Sequence, residues 1–325
     1  MKLLAPLDEF DNFEALAASP ADEFFCGLLP KAHVQRYSNL YSLNRRAFTR
    51  CNFNTFKLLG RAVAKIGEVG KPVVCAFNST FYLDDEYPAI LEYAQRLRDI
   101  GVDDLIISDV GLGAYLRNKG FSGRLHLGVD TGAFNAATVN FLVSELAVSR
   151  IILNRHLNID EVISIISSAP EPEYEVIAYN APCRHVAAFC GNLHGADPSS
   201  GKDNWEGRRF PCWCIGDVEV VQTDDAQRGE QLRQWLGSLS SAKHGGCGAC
   251  ALPLLADAGV AHVKIAGRGA PTEAKLRDIT FMAAAMELSR GKGPEGTTGY
   301  AEQIIKLRLD HYGETCGPRD CYYEV

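Results

Sequence analysis

Three consecutive stretches decide the fold: Val73–Asn78 (VVCAFN), Glu86–Ile100 (EYPAILEYAQRLRDI) and Asp104–Asp109 (DLIISD). The first and third are short, almost continuous apolar runs rich in β-branched residues, the pattern of strands buried on both faces. The middle stretch carries its apolar residues at helical spacing. A strand, a helix and a second buried strand in that order describe a parallel pair joined by a crossover helix. The same unit recurs along the chain. Apolar runs lie at Lys2–Pro6, Glu23–Leu29, Val73–Asn78, Asp104–Asp109, Leu125–Thr131, Arg150–Arg155, Tyr174–Asn180 and His262–Arg268. Between most of them the periodicity predicts helices, at Phe56–Val69, Glu86–Ile100, Asn135–Ala147 and Ile159–Ser168. Eight units fit a (β/α)8 barrel-like parallel sheet, with an open doubly wound sheet as the runner-up. A further helix is predicted over Thr272–Arg290, with Pro271 and Glu273 near its start and Gly291 after its end. The reading divides the chain into a barrel-like domain over 1–291 and a C-terminal extension over 292–325 with a short helix near Tyr300–Tyr312. GLGAYL around Gly111 lacks the third glycine of a dinucleotide-binding turn.

Hydrophobic residues make up 46% of the 325 and charged residues 22%, enough apolar content for a full core. No apolar run approaches the roughly 20 residues needed to span a bilayer, and the first ten residues, MKLLAPLDEF, reach Asp8 and Glu9 too early for a signal peptide. A cytoplasmic location is the expectation, and a reducing compartment disfavours disulfides. The formal charge of −7 argues against a broad phosphate-binding surface, so nucleic acid is an unexpected main partner and a small molecule the expected one.

In a parallel barrel the chemistry sits at the C-terminal ends of the strands. Those ends carry Asn78, Asp109, Asp130 with Thr131, Asn154 with Arg155, Asn180, and Lys264 with Arg268. Any one of them would serve as a cap or a solvated end, but together they describe a polar mouth. Lys264 and Arg268 share one face of the last strand at even spacing and point into the barrel; the plain alternative for them is an ion pair with Asp109 or Asp130.

A cysteine-rich segment, 183–250, hangs on the same mouth after the seventh strand. It holds six of the eleven cysteines, as Cys183 with Cys190, Cys212 with Cys214, and Cys247 with Cys250. Thiolates bind soft metals, and four suffice for tetrahedral zinc or an iron–sulfur cluster. Among these pairs only Cys247 and Cys250 clearly have zinc-finger spacing, and the six residues between Cys183 and Cys190 suit an iron–sulfur site better. Zinc and plain buried or redox-active thiols remain the alternatives. Residues 191–211 read as a long loop that ligation would order. Arg184 and His185 could bond cluster sulfur or an anion, or be ordinary loop residues. Cys26, Cys51 and Cys75 stand singly in apolar segments and read as small buried hydrophobes. Cys316 and Cys321 could join a metal site or lie idle in a surface tail.

Several segments, NRRAFTRCNF, VVCAFNST, DDLIISDVG, LHLGVDTGAFN, IILNRHLN, the Cys183–Cys190 pair and LPLLADAGVAHVKIAGR, together resemble the U-32 peptidase family of collagenase-like proteins. That family includes the oxygen-independent hydroxylases of ubiquinone biosynthesis and relatives that hydroxylate RNA bases. The resemblance covers Ala21–Arg268 and implies a barrel-like fold with a 4Fe–4S cluster. Carried over residue by residue, the ligands are Cys183, Cys190, Cys212 and Cys247, with Cys214 and Cys250 as alternates. It further implies prephenate as oxygen donor and a second family member as a possible heterodimer partner. Prephenate carries two carboxylates, which requires cations at the mouth. Arg155, Lys264 and Arg268 are the candidates, with Asp109 as the acidic member of the catalytic set.

This chain departs from the family in having AYNAP where many relatives carry a His-Gly pair before the first ligand, and KIAGR where they carry KIEGR. The RNA-modifying relatives usually carry additional C-terminal domains. The expected activity is therefore hydroxylation of a small aromatic or isoprenoid-type substrate by an anaerobic iron–sulfur enzyme. Two alternatives stand beside it: a peptidase, for which no H-E-x-x-H or Ser/His/Asp order is visible, and a non-catalytic iron–sulfur partner subunit.

Overall fold

Each apolar run forms a strand in the computed structural model, which describes residues 1–37, 43–46, 51–180, 188, 246–291, 297–316 and 321–323. The strands are β1 (Lys2–Pro6), β2 (Glu23–Gly27), β3 (Val73–Phe77), β4 (Asp104–Ile107), β5 (Arg124–Leu127), β6 (Arg150–Leu153), β7 (Glu173–Tyr179) and β8 (His262–Ile265). They pair in sequence order, every pair parallel, and β8 returns to β1 to close the barrel. This is the (β/α)8 architecture expected from the alternation of runs.

The helices among the described residues are α1 (Phe13–Ala17), α2 (Lys31–Tyr37), α3 (Phe56–Gly67), α4 (Tyr87–Asp99), α5 (Val110–Asn118), α6 (Ala136–Leu146), α7 (Ile159–Ser168), α8 (Leu252–Asp257), α9 (Thr272–Ser289) and α10 (Thr297–Tyr312). Several begin on a side-chain cap supplied by the loop after a strand. The Asp109 carboxylate accepts from Leu112 N–H at 3.1 Å to start α5, and Asn135 accepts from Thr138 N–H at 2.9 Å to start α6. Asn158 and Glu161 form a reciprocal capping box at α7. No helix among the described residues is long and apolar enough to cross a membrane.

Period-2 alternation splits the strand side chains into two sets. One set, including Leu3, Phe24, Cys26, Val73, Cys75, Leu105, Leu125, Ile151 and Val263, packs outward under the helices. Cys26 and Cys75 are neighbours in register, and they and Cys51 are buried, in keeping with their reading as small hydrophobes. The other set faces the barrel axis. Its apolar members are Leu4, Phe25, Val74, Ala76, Ile106, Ile152 and Ile177. Burying a residue of this size stabilises by about 1.5–3 kcal/mol.

Below that apolar belt, toward the N-terminal ends of the strands, the axis is charged. The Arg150 guanidinium, 1% exposed, bonds the Glu23 carboxylate at 2.9 Å and the Glu175 carboxylate at 3.1 Å, and reaches Glu173 at 3.2 Å. His262 lies against Glu23 and Glu173, and Asp104 pairs with Arg124. Charges this deep are tolerated only when partnered.

Candidate functional site at the barrel mouth

Immediately beyond the strands, the chain places Asn78 after β3, Ser108 and Asp109 after β4, Asn154 after β6 and Asn180 after β7. The side chains of Asn78, Ser108, Asn154 and Arg268 are all buried or nearly so. Each has a polar atom with no hydrogen-bond partner among the described residues: Asn78 Oδ1, Ser108 Oγ, Asn154 Nδ2 and one Arg268 terminal nitrogen. Buried polar atoms left in this way are costly unless something else meets them. They stand together at the C-terminal ends of the strands, where a polar ligand could meet them.

Arg268 reaches this position because β2 ends on a glycine. A Cβ at Gly27 would stand 2.0 Å from the Arg268 guanidinium, 2.3 Å from Asn52 Oδ1 and 2.9 Å from Asn44 Nδ2. The room left by the missing side chain holds all three. Arg268 donates to Asn44 C=O at 3.2 Å, and Asn44 donates to Asn52 Oδ1 at 2.7 Å. Cys51 lies against the same residue, its thiol donating to Arg268 C=O at 3.4 Å.

The neighbouring Arg45 sits in the left-handed region at φ 60°, a conformation that costs a non-glycine residue free energy. There its guanidinium pairs with the Asp130 carboxylate, both largely buried. Burial pushes the Asp130 carboxyl upward, while Arg45, then Arg155 and Arg46, pull it back. Arg46 is half-buried, and desolvation lowers its pKa to about 10. Four guanidiniums therefore gather at the mouth: Arg45, Arg46, Arg155 and Arg268. The motif NRRAFTRCNF carried two of them, but nothing in its local spacing says that a double Arg in a loop will fold over a barrel.

The remaining sequence candidates fall as follows. Asp109 caps α5 with one oxygen and with the other accepts from Tyr82 N–H and the Tyr87 hydroxyl, both at 3.1 Å. Burial and the Asp109 charge raise the Tyr87 phenol to about 12. Asn154 Oδ1 accepts from His156 N–H at 3.0 Å. Asn180, at φ 65°, is tied to Asp278. Lys264 points into the barrel as its spacing predicts, but one level below the mouth. Its register partners are Leu4 and Ile177, its ammonium bonds Glu175 Oε1 at 3.0 Å, and it lies 4.2 Å above the Phe25 ring. It is thus ion-paired, with Glu175 as partner in place of Asp109 or Asp130.

Of the cysteines implied as ligands, Cys183, Cys190 and Cys212, with the alternate Cys214, lie outside the described residues. Cys247 is buried beside the end of β7. It bridges Tyr179 in antiparallel fashion, Asn180 N–H donates to Gly246 C=O at 3.0 Å, and Gly248 N–H donates to Ala178 C=O at 2.8 Å. Cys250 follows in a single 3-10 turn, Ala249–Ala251. Burial pushes the Cys247 thiol up to about 12 and the Cys250 thiol to about 11. Such thiols stay protonated on their own, and a soft cation is what would hold them as thiolates. Cys247 and Cys250 thus stand beside the mouth, and no group of three metal-ligating side chains forms among the described residues.

Barrel, polar cationic mouth and adjacent thiols define a class: a parallel (β/α)8 protein with guanidiniums and buried thiols gathered at the C-terminal ends of its strands. The sequence matches the family described as Peptidase family U32 over residues 8–308, and the chain belongs to that family. It is 27% identical over 203 residues to tRNA hydroxylation protein P of Haemophilus influenzae, across 62% of this chain and 41% of that protein. It is 33% identical over 106 residues to tRNA hydroxylation protein P of Escherichia coli K12, across 32% of this chain and 23% of that one. The chain thus spans less than half the length of these relatives in alignment. A solved U32 peptidase, Mk0906, superposes with a TM-score of 0.45 at 13% identity, over 58% of this chain and 73% of that one.

Proposed function

We propose that this protein is an oxygen-independent hydroxylase that acts on a ring held at the barrel mouth, with a 4Fe–4S cluster as cofactor and a dicarboxylate of the prephenate type as oxygen donor. The observation that carries the reading is the set of guanidiniums at the mouth, Arg45, Arg46, Arg155 and Arg268, standing over buried polar atoms that lack partners. Arg binds carboxylates through paired, charge-assisted hydrogen bonds, so two carboxylates on one small molecule suit such a set. Asp130, held by Arg45, keeps that arginine oriented. The cluster would draw its ligands from Cys183, Cys190, Cys212 and Cys247, with Cys214 and Cys250 as alternates. It would supply one-electron transfer.

The names of the two relatives support hydroxylation as the reaction and favour a second reading of the substrate, a base in RNA. The net charge of −7 favours a small aromatic or isoprenoid-type ring. A partner chain of the same family, completing a heterodimer, is compatible with either.

Anaerobic purification with iron and sulfide analysis tests the cofactor, and about four of each per chain is the expected result for a 4Fe–4S centre. The same preparation is then given prephenate together with small aromatic acceptors or with unmodified tRNA. Hydroxylated product from either pool, lost in Cys183→Ala, supports the reading. Peptide cleavage that follows the pure protein and vanishes in a point variant would replace it with a peptidase.

A further inference from the structure

Each strand of the barrel turns every second side chain toward the axis, and alternate strands together fill one level of it. On β2, β4 and β6 the inward members of the apolar belt are Phe25, Ile106 and Ile152, and on β8 Lys264 stands over Phe25. Two residues further along the same four strands come Gly27, Ser108, Asn154 and Ala266. The axis thus passes from bulky to small side chains in one step. The two polar ones at the new level are buried, Ser108 at 4% and Asn154 at 3% exposure. On β3 the inward positions run Val74, Ala76 and then Asn78, which is half-buried.

What these side chains offer is a mixed set of hydrogen bonds. Asn154 Oδ1 accepts from His156 N–H at 3.0 Å, which orients the amide, and Nδ2 with its two donors is the end without a partner among the described residues. Ser108 Oγ, equally without one, has its room because β5 is followed by a glycine: a Cβ at Gly128 would stand 2.5 Å from it. Asn78 Oδ1 can only accept, and the Arg268 terminal nitrogen can only donate. A carboxylate accepts and never donates, so a ligand bearing carboxylates alone would satisfy the donors and leave Asn78 Oδ1 facing lone pairs. A hydroxyl does both, giving its proton to Asn78 Oδ1 while receiving one from Ser108 or Asn154. Asn78 and Ser108 follow the register pair Phe77 and Ile107 on strands about 4.8 Å apart, within reach of one oxygen. We propose that Asn78, Ser108 and Asn154 select a hydroxy-carboxylate, its hydroxyl bound among these three neutral side chains and its carboxylate by Arg268. This selectivity rests on the reading of the mouth as a carboxylate site and adds the group by which one carboxylate is told from another.

The test compares two probes that differ by one hydroxyl, malate (each enantiomer) and succinate, by calorimetry on the full-length protein purified anaerobically. In the wild type one enantiomer of malate is expected to bind at least about tenfold tighter than succinate, because a site that hydrogen-bonds a ligand hydroxyl rejects the analogue lacking it. Ser108→Ala and Asn154→Ala are expected to shrink that ratio toward one with succinate affinity little changed, and Arg268→Met to weaken both probes alike. Asn154→Ala also loses the bond to His156. Should it fold poorly, Ser108→Ala decides, since that change breaks no side-chain bond among the described residues. Equal affinities for malate and succinate in the wild type overturn the selectivity, as does binding of neither probe, or a ratio that survives both alanine variants. The ratio is read without turnover, so it stands or falls apart from the hydroxylase reading: a malate preference in a protein that holds no iron and hydroxylates nothing would remove that reading and keep the hydroxyl site.

Discussion

The two ends of this barrel handle buried charge in opposite ways. At the N-terminal end the described charges are paired, Arg150 shared by Glu23, Glu173 and Glu175, Lys264 held by Glu175, and Arg124 by Asp104, and the atoms left without a hydrogen bond there are ring nitrogens of His126 and His262. At the C-terminal end Arg268, Asn78, Ser108 and Asn154 keep polar atoms without hydrogen-bond partners. In the first, the charges balance one another and serve stability. In the second, side chains with unmet polar atoms stand beside guanidiniums, the arrangement a ligand-binding mouth would have.

The largest expected effect comes from breaking the balanced end. Arg150→Met leaves three carboxylates facing one another in the axis, and removing one member of a buried charge network costs about 3–5 kcal/mol. Urea unfolding measures it, and a loss below about 1 kcal/mol would mean the network is relaxed by water. Gly27→Ala strikes the open end. Its methyl must displace the Arg268 guanidinium or Asn52, so binding of a dicarboxylate is expected to weaken about tenfold or more, with a smaller stability loss of about 1–3 kcal/mol. Arg268→Met is its companion: comparable loss of anion binding in calorimetry with stability changed by about 1 kcal/mol or less. If Arg268→Met destabilises as much as Arg150→Met, the contrast between the two ends is wrong.

Acid titration sharpens the same contrast. Burial would raise the carboxyls of Glu23 and Glu173, but the bonds and charge of Arg150 outweigh it and hold both below the usual value. Their stabilisation is present above the unfolded glutamate pKa of about 4.3 and is lost as pH falls through the lower folded values. His126 and His262 are also depressed, first by burial and then by Arg150. The unfolded chain takes up those protons first, so stability is expected to start declining below about pH 6.5. Arg150→Met should abolish the glutamate part of the decline and leave a histidine part, visible as a changed slope of stability against pH. Asp109→Asn tests the rim of the mouth: the amide oxygen can still cap α5, but its Nδ2 then faces the Tyr82 N–H that the second carboxylate oxygen accepted, so a stability loss of about 1–3 kcal/mol is expected, while the Tyr87 phenol, relieved of a neighbouring charge, titrates below its present value near 12.

Much of the architecture is legible in the residues. The eight strands appear where continuous apolar runs stand, because a strand buried on both faces needs such a run. Their C-terminal ends come earlier than the apolar runs suggest, at Gly27 in place of Leu29 and at Leu127 in place of Thr131, since the chain leaves the sheet to build the mouth. The short helices α1, α2 and α8 escape a periodicity argument, having too few turns to show one. The two glycines of α5 lower its helix propensity, and its cap on Asp109 with packing on the barrel restores it. Arg45 and Arg46 escaped as site residues for a different reason: their loop is brought to Asp130 across the mouth, between residues far apart in the chain. Lys264 shows the complementary case, its inward direction legible and its height not.

Sequence alone determined the period of each element, and with it which side chains face the barrel axis and which face the helices, because a strand's alternation is a local property. Tertiary structure decided the level each inward residue occupies and the partner it meets. That follows from barrel closure: the register of β8 against both β7 and β1 places Lys264 beside Glu175, and leaves Arg268 beyond the strand, over the opening.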